Sequence, residues 1–313
     1  MQEQLRMRSG PPLAQGRSRT AVVRRRSRND KMGAMVNVRE LLHMHHLDRI
    51  ATEIEAAALP TVFLAPGQPS ESAVSRMGGR PNLNPDVQWP EWRGRPLAFI
   101  AQIDLSRVPS ASSLKLPDSG ALYFFYEGGL GAWGYDPGDR GCAQVIYESR
   151  GLFEPAVRPF PESLTAELRF QGVRLEPSGV ELSLPDCTDP ILAPLQLTQE
   201  ECDSYFECLA AWRNLMPPTF HRLGGHPEAL QDEPKYYPYA ASLGMQVSSS
   251  LFEGAEEPDV HRGAAEWELL LQLGPDESAG MHWGDEGAVY FLIRRADRAQ
   301  WRFDSVWLVL QSC

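Results

Sequence analysis

The chain has 313 residues, 42% of them hydrophobic, and a formal net charge of −11; it is long enough for one large core or for two similar halves packed together. No apolar run nears the roughly 20 residues that cross a bilayer, so a membrane-spanning protein is not expected. Five cysteines, an odd number at irregular spacing with no CxxC pair, argue against a disulfide framework or structural zinc and point to a reducing, cytoplasmic setting.

Charge is divided unevenly. Residues 1–35 hold nine of the 30 basic side chains and two of the 41 acidic ones, which leaves +7 on this segment and −18 on the rest. A stretch so basic and so poor in large apolar groups cannot offset its ordering entropy by burial, and is expected to be a disordered tail. It reads as inert, or as an extension from an upstream start before Met32 and Met35, in preference to a nucleic-acid arm or a transit-type peptide. A body at −18 repels phosphate backbones, so generic nucleic-acid binding by the body is disfavoured.

The first ordered element is expected to be a helix. Asn37 and Glu40 have capping-box spacing, and Leu47, Ile50 and Ile54 recur at helical period until Pro60 stops the pattern. Residues 61–65 read as a short buried strand, followed by Gly- and Pro-rich loop and edge material to about residue 95. Further strands are expected at 97–104, 120–127, 144–148, 164–170 and 173–176. A second helix starts at Thr198, where Glu201 completes a capping box, and runs to about Asn214 ahead of Pro217 and Pro218. Tyr205, Leu209 and Trp212 form its apolar stripe. Strands at 267–273, 288–294 and 305–310 complete the pattern, with a short helix near 296–302. Helices and strands do not alternate regularly, so the fold class is α+β with largely antiparallel sheet and a few peripheral helices.

An internal repeat organises the chain. SRMGGRP at 75–81 recurs as HRLGGHP at 221–227, the glutamine inside LAFIAQID (Gln102) recurs as Gln272, and GALYFFYE at 120–127 recurs as GAVYFLIR at 287–294. Three matches in one order imply duplication, with halves at 36–196 and 197–313 forming one unit over 36–313. On these motifs, together with NPDVQWP, WGYDPGDRG, MHWGDEG and FDSVWLVLQ, the sequence resembles the YwqG-like family over roughly residues 37–313. That resemblance implies the duplicated α+β fold and no specific activity. More remotely, the R-Φ-G-G-x-P element is similar to ribosome-assembly escort proteins of the programmed-cell-death-two type, whose zinc-binding cysteine cluster is missing here.

The paired Gly-Gly elements admit two readings. Gly78, Gly79, Gly224 and Gly225, beside Arg76 and Arg222, suit an oxyanion or carboxylate cradle; they equally suit a turn that seats each repeat's sheet, with the arginine paired to an internal carboxylate. The turn is the simpler reading, with Arg76 as the structural copy. Arg222, flanked by His221 and His226, is the copy with more polar groups for a site. Gln102 and Gln272 interrupt apolar strands and must find partners, either a backbone edge or one another, or else line a pocket. Trp283 and Asp285 in MHWGDEG are binding candidates.

His43, His45 and His46 read as solvated helix residues, and no metal or cofactor is expected. No GxSxG, P-loop, dinucleotide fingerprint or HExxH occurs. The leading expectation is therefore a binding module with a cleft between its halves for a protein or peptide segment. One alternative is a hydrolase-like or other enzyme drawing acid/base groups from Asp136, Asp139, His221, His226, His282 and Asp285. Another is an escort or antitoxin-like protein with one protein partner.

Overall fold

A computed structural model describes residues 37–129, 131–152, 157–245 and 258–312. The basic segment 1–35 lies outside them. Twelve strands are present among the described residues: β1 Leu59–Pro69, β2 Arg76–Met77, β3 Glu91–Trp92, β4 Arg95–Pro96, β5 Ala98–Asp104, β6 Ala121–Tyr126, β7 Ala143–Glu148, β8 Val173–Ser183, β9 Arg222–Gly224, β10 Trp267–Leu273, β11 Ala288–Arg294 and β12 Trp307–Gln311. The helices are α1 Val38–Met44, α2 Ala51–Ala57, α3 Gln199–Arg213, α4 Tyr236–Ser242, α5 Pro258–Ala264 and α6 Arg295–Ala299. The class is α+β.

Ten strands form one antiparallel sheet in the order β12-β11-β10-β9-β1-β8-β2-β5-β6-β7, and β3 and β4 make a separate hairpin. The runs β2-β5-β6-β7 and β9-β10-β11-β12 have the same connectivity and even the same irregularity. A register shift lies between Phe99 and Ala101 on β5 and between Leu269 and Leu271 on β10. The strands that lead into these runs are exchanged: β1 precedes the first run in the chain yet pairs with β9, while β8 precedes the second and pairs with β2. The long β1–β8 ladder joins the two runs at the centre.

Period-two alternation separates the faces of the sheet. Leu122, Phe124 and Tyr126 on β6 and Val289, Phe291 and Ile293 on β11 enter one core on one face of the sheet, where Phe124 and Phe291 meet edge to face at 5.1 Å. Their neighbours Tyr123, Phe125, Tyr290 and Leu292 point to the other face, into smaller clusters under Trp89 and under α4. A fourth cluster joins α1, α2 and α3 through Leu42, Ile50, Ile54, Tyr205, Leu209 and Trp212.

Several expectations need correction. The first helix is two helices, because the chain turns at His46 with φ 60°; Asn37 accepts from the Arg39 amide, and no box with Glu40 forms. β1 and β8 are 11 residues each, longer than their apolar cores suggest, since each continues through prolines that the paired partner accommodates with register shifts. Residues 164–170 contain a 3-10 turn at Ala166–Leu168 and no strand. The capping box at Thr198 forms as expected, with Thr198 and Glu201 each bonding the other's amide.

Candidate functional site

Each Arg-Φ-Gly-Gly element is a short strand that ends in two glycines with positive φ, 62° and 71° at Gly78 and Gly79, 69° and 79° at Gly224 and Gly225. A Cβ on Gly78 would lie 2.1 Å from the Gln171 carbonyl oxygen, and one on Gly225 2.8 Å from Thr61 Cβ. These glycines seat the element against its neighbours, and the Gly78 and Gly79 amides donate to the carbonyls of Ile100 and Phe170.

The arginine side chains sit in register with the strand glutamines, Arg76 opposite Gln102 and Arg222 opposite Gln272. Both amides bond backbone and do not meet one another. Gln102 accepts from the Asn82 amide (2.9 Å) and donates to the Val74 carbonyl (2.8 Å). Gln272 accepts from the Glu228 amide (2.9 Å) and donates to the Phe220 carbonyl (2.9 Å). A tyrosine closes each set: Tyr123 donates to the Asn82 carbonyl at 2.7 Å and Tyr290 to that of Glu228 at 2.9 Å. The backbone six residues after each arginine is thus fixed by two bonds, and its side chain returns to the guanidinium. It is Asn82 in the first copy and Glu228 in the second.

That one difference makes the copies unequal. Arg76 is 0% exposed, and its Nη1 and Nη2 donate to the carbonyls of Ala73 and Arg80 and to Asn82 Oδ1. The expectation of a carboxylate pair for Arg76 is corrected: neutral oxygens hold it. Burial lowers its pKa to about 10, which leaves it charged at neutral pH. Arg222 does have a carboxylate, donating from Nη2 to Glu228 Oε2, and its guanidinium packs over Phe63 (5.0 Å) and Phe220 (5.8 Å). Beside it is a cavity of about 210 Å³ lined in part by Phe63, Trp212, Arg213, Phe220, Arg222 and Glu228. Its walls come from β1, the end of β8, α3 and the loop leading to β9.

The remaining candidates lie elsewhere. Trp283 is fully buried, donating to the Gly274 carbonyl at 3.2 Å and packing on Tyr126 and Phe170, so it is core. Asp285 and His282 are exposed on the loop before β11. Asp136 and Asp139 are turn formers, accepting from the amides of Gly138 and Gly134. His221 is buried and accepts from the Gly274 amide, and burial lowers its pKa to about 4. His43 pairs with Asp48 at 2.7 Å on the surface. Among the described residues no group of three His, Cys, Asp or Glu is placed to hold a metal.

His226 leaves the arginine and enters a buried charge cluster that the sequence did not reveal. Its Nε2–H donates to the Ala57 carbonyl (2.8 Å), while Nδ1 lies 2.8 Å from Asp189 Oδ2. Lys235 Nζ donates to the same carboxylate oxygen, and the Lys235 amide donates to Glu233 Oε1. All four residues are buried. Burial acts to raise the Asp189 pKa, yet Lys235 and His226 outweigh it and hold it below the usual carboxylate range. Glu233, with no such pair, is pushed up to about 8 by burial, against a partial lowering by Lys235.

A raised acid keeps its proton in the folded state after the unfolded chain has lost it. Its contribution is full below the unfolded pKa near 4.5 and is lost as pH rises through about 8. Glu233→Gln is therefore expected to remove a fall in stability of up to about 1.4 kcal/mol per pH unit between these limits. Urea unfolding of both forms from pH 5 to 8 measures it; parallel curves would show that Glu233 is hydrated.

Fold and site together define a class: a duplicated sheet protein in which each copy holds an arginine against a strand glutamine, one copy sealed and one beside a cavity. The chain belongs to the family described as a domain of unknown function, DUF1963, whose model matches residues 75–313. That span begins one residue before Arg76 and includes both copies. No curated protein matches the chain. No helix among the described residues is long and apolar enough to cross a membrane.

Proposed function

We propose that this protein is a cytoplasmic interaction module of the YwqG-like kind, which receives a peptide-like segment in the cavity beside Arg222. The observation that carries this reading is the contrast between the copies, since the same arginine is enclosed by oxygens in one and borders a 210 Å³ space in the other. Apolar walls with a few convergent polar groups are the usual make-up of a ligand site. Here the apolar walls include Phe63, Leu209, Trp212, Met216 and Phe220, and the charged groups are Arg213, Arg222 and Glu228. Residues from both sides of position 196 line it.

Selection of random peptides on the full chain, presented with free and with blocked ends, tests the reading. Enriched peptides are expected to bind the wild type and to lose at least about tenfold affinity, or 1.4 kcal/mol, on Met216→Asp, which puts a charge in the apolar wall. Peptides that bind Met216→Asp as well as the wild type would overturn it.

A further inference from the structure

We infer that the cavity beside Arg222 takes a carboxylate carried on a small apolar group, of the kind presented by the last residue of a peptide chain. This rests on the binding-module reading and gives its ligand a chemistry. The chain supplies its own reference for the argument. In the first copy Arg76 Nη1 donates to the carbonyl of Ala73, and Nη2 donates to the carbonyl of Arg80 and to Asn82 Oδ1. The residues at the same offsets from Arg222 are Thr219, His226 and Glu228. Of these only Glu228 accepts, and it accepts from Nη2.

Nη1 of Arg222 therefore has no hydrogen-bond partner, on a side chain that is 7% exposed and lines the cavity. Nη1, unlike Nε, is not fully buried, so it opens onto the cavity, where an incoming acceptor can take the place of solvent. Nε is buried without a partner in both copies, so Nη1 is what distinguishes the second. An incoming oxygen at Nη1 would restore the acceptor that the Ala73 carbonyl provides to Arg76.

Charge selects an anion for that oxygen. Arg213 and Arg222 line the cavity with Glu228 as the one carboxylate in its wall, and Asp186 stands outside that wall. Arg213 is 36% exposed and its charged neighbours, Glu228 at 3.8 Å and Asp186 at 3.9 Å, are beyond hydrogen-bond distance. It stands at the rim as a second donor, and guanidinium with carboxylate is the favoured geometry for such a pair. Size limits the rest of the ligand. A cavity of ~150 Å³ holds a benzene-sized group, so 210 Å³ takes one branched side chain together with a carboxylate. Phe63, Trp212 and Phe220 offer that side chain apolar contact.

The test uses the full chain and N-acetyl-leucine against N-acetyl-leucinamide, followed by NMR on the Trp212 indole signal and the Arg222 side chain. Ligands of about a dozen heavy atoms should bind at millimolar affinity. The acid is expected to bind at least about tenfold more tightly than the amide, and Arg213→Gln should reduce that difference by weakening the acid more than the amide. 4-Methylpentanoate and a tripeptide ending in leucine separate a free small acid from a chain terminus, the terminus being expected to bind more tightly through its added contacts. Equal affinity for acid and amide would overturn the carboxylate while leaving a peptide-binding pocket intact. Shifts confined to residues outside the cavity, or no saturable shift with any acid, would also overturn it. If peptides with blocked ends fail in the selection as well, the binding-module reading falls with it.

Discussion

Lys235→Met is expected to destabilise the protein by about 3–5 kcal/mol, because it leaves the carboxylate of Asp189 buried without its ammonium partner. The lysine is 3% exposed and the aspartate 1%. The remaining bonds to Asp189, from the Ile191 amide and from the side of His226, do not replace a full charge. The effect should spread, since the cluster ties the end of α2 at Ala57, the loop at 186–192, the second Gly-Gly element and the start of α4 to one another. A thermal midpoint lower by roughly 10 °C is the expected reading. Replacing both members, Lys235→Met with Asp189→Leu, should recover part of the loss, because the double change removes the uncompensated charge. A single variant within about 1 kcal/mol of wild type would mean that water reaches Asp189.

The second large effect concerns the two arginines. Arg76→Ala removes a fully buried side chain and orphans the carbonyls of Ala73 and Arg80, and it loosens Asn82, which also accepts from Gln102. A cavity and unsatisfied acceptors together should cost about 3–5 kcal/mol. Arg222→Ala leaves Glu228, whose side chain is 27% exposed and can be hydrated, so the expected loss is about 1–2 kcal/mol. Urea denaturation of the two variants compares them directly. Equal, large losses would make Arg222 a scaffold residue like Arg76 and would remove the ligand donor on which the carboxylate proposal depends.

Much of the fold was legible in the sequence because it is written in local terms. Continuous apolar runs marked β5, β6, β10 and β11, the Thr198–Glu201 spacing marked the start of α3, and recurrence of the Gly-Gly motifs with Gln102 and Gln272 marked two equivalent sets. Residues 164–170 read as a strand from their apolar ends, Leu164 and Phe170, yet Ala166–Leu168 between them forms a 3-10 turn. The two helices over 38–57 were read as one because His46 takes a left-handed φ that no local signal announces.

The sequence alone determined the α+β class, the equivalence of Arg76 with Arg222 and the burial of both glutamines, since a strand's period and a buried amide's need for partners are local facts. Tertiary structure alone decided the pairing of β1 with β9 and β8 with β2, the meeting of Asp189, His226, Glu233 and Lys235, and the cavity beside Arg222. Each of these brings together residues tens to more than a hundred positions apart. Whether Asn82 or Glu228 faces its guanidinium in a sealed or an open site depends on what α3 and β1 lay over it, and short-range pattern carries no information about that.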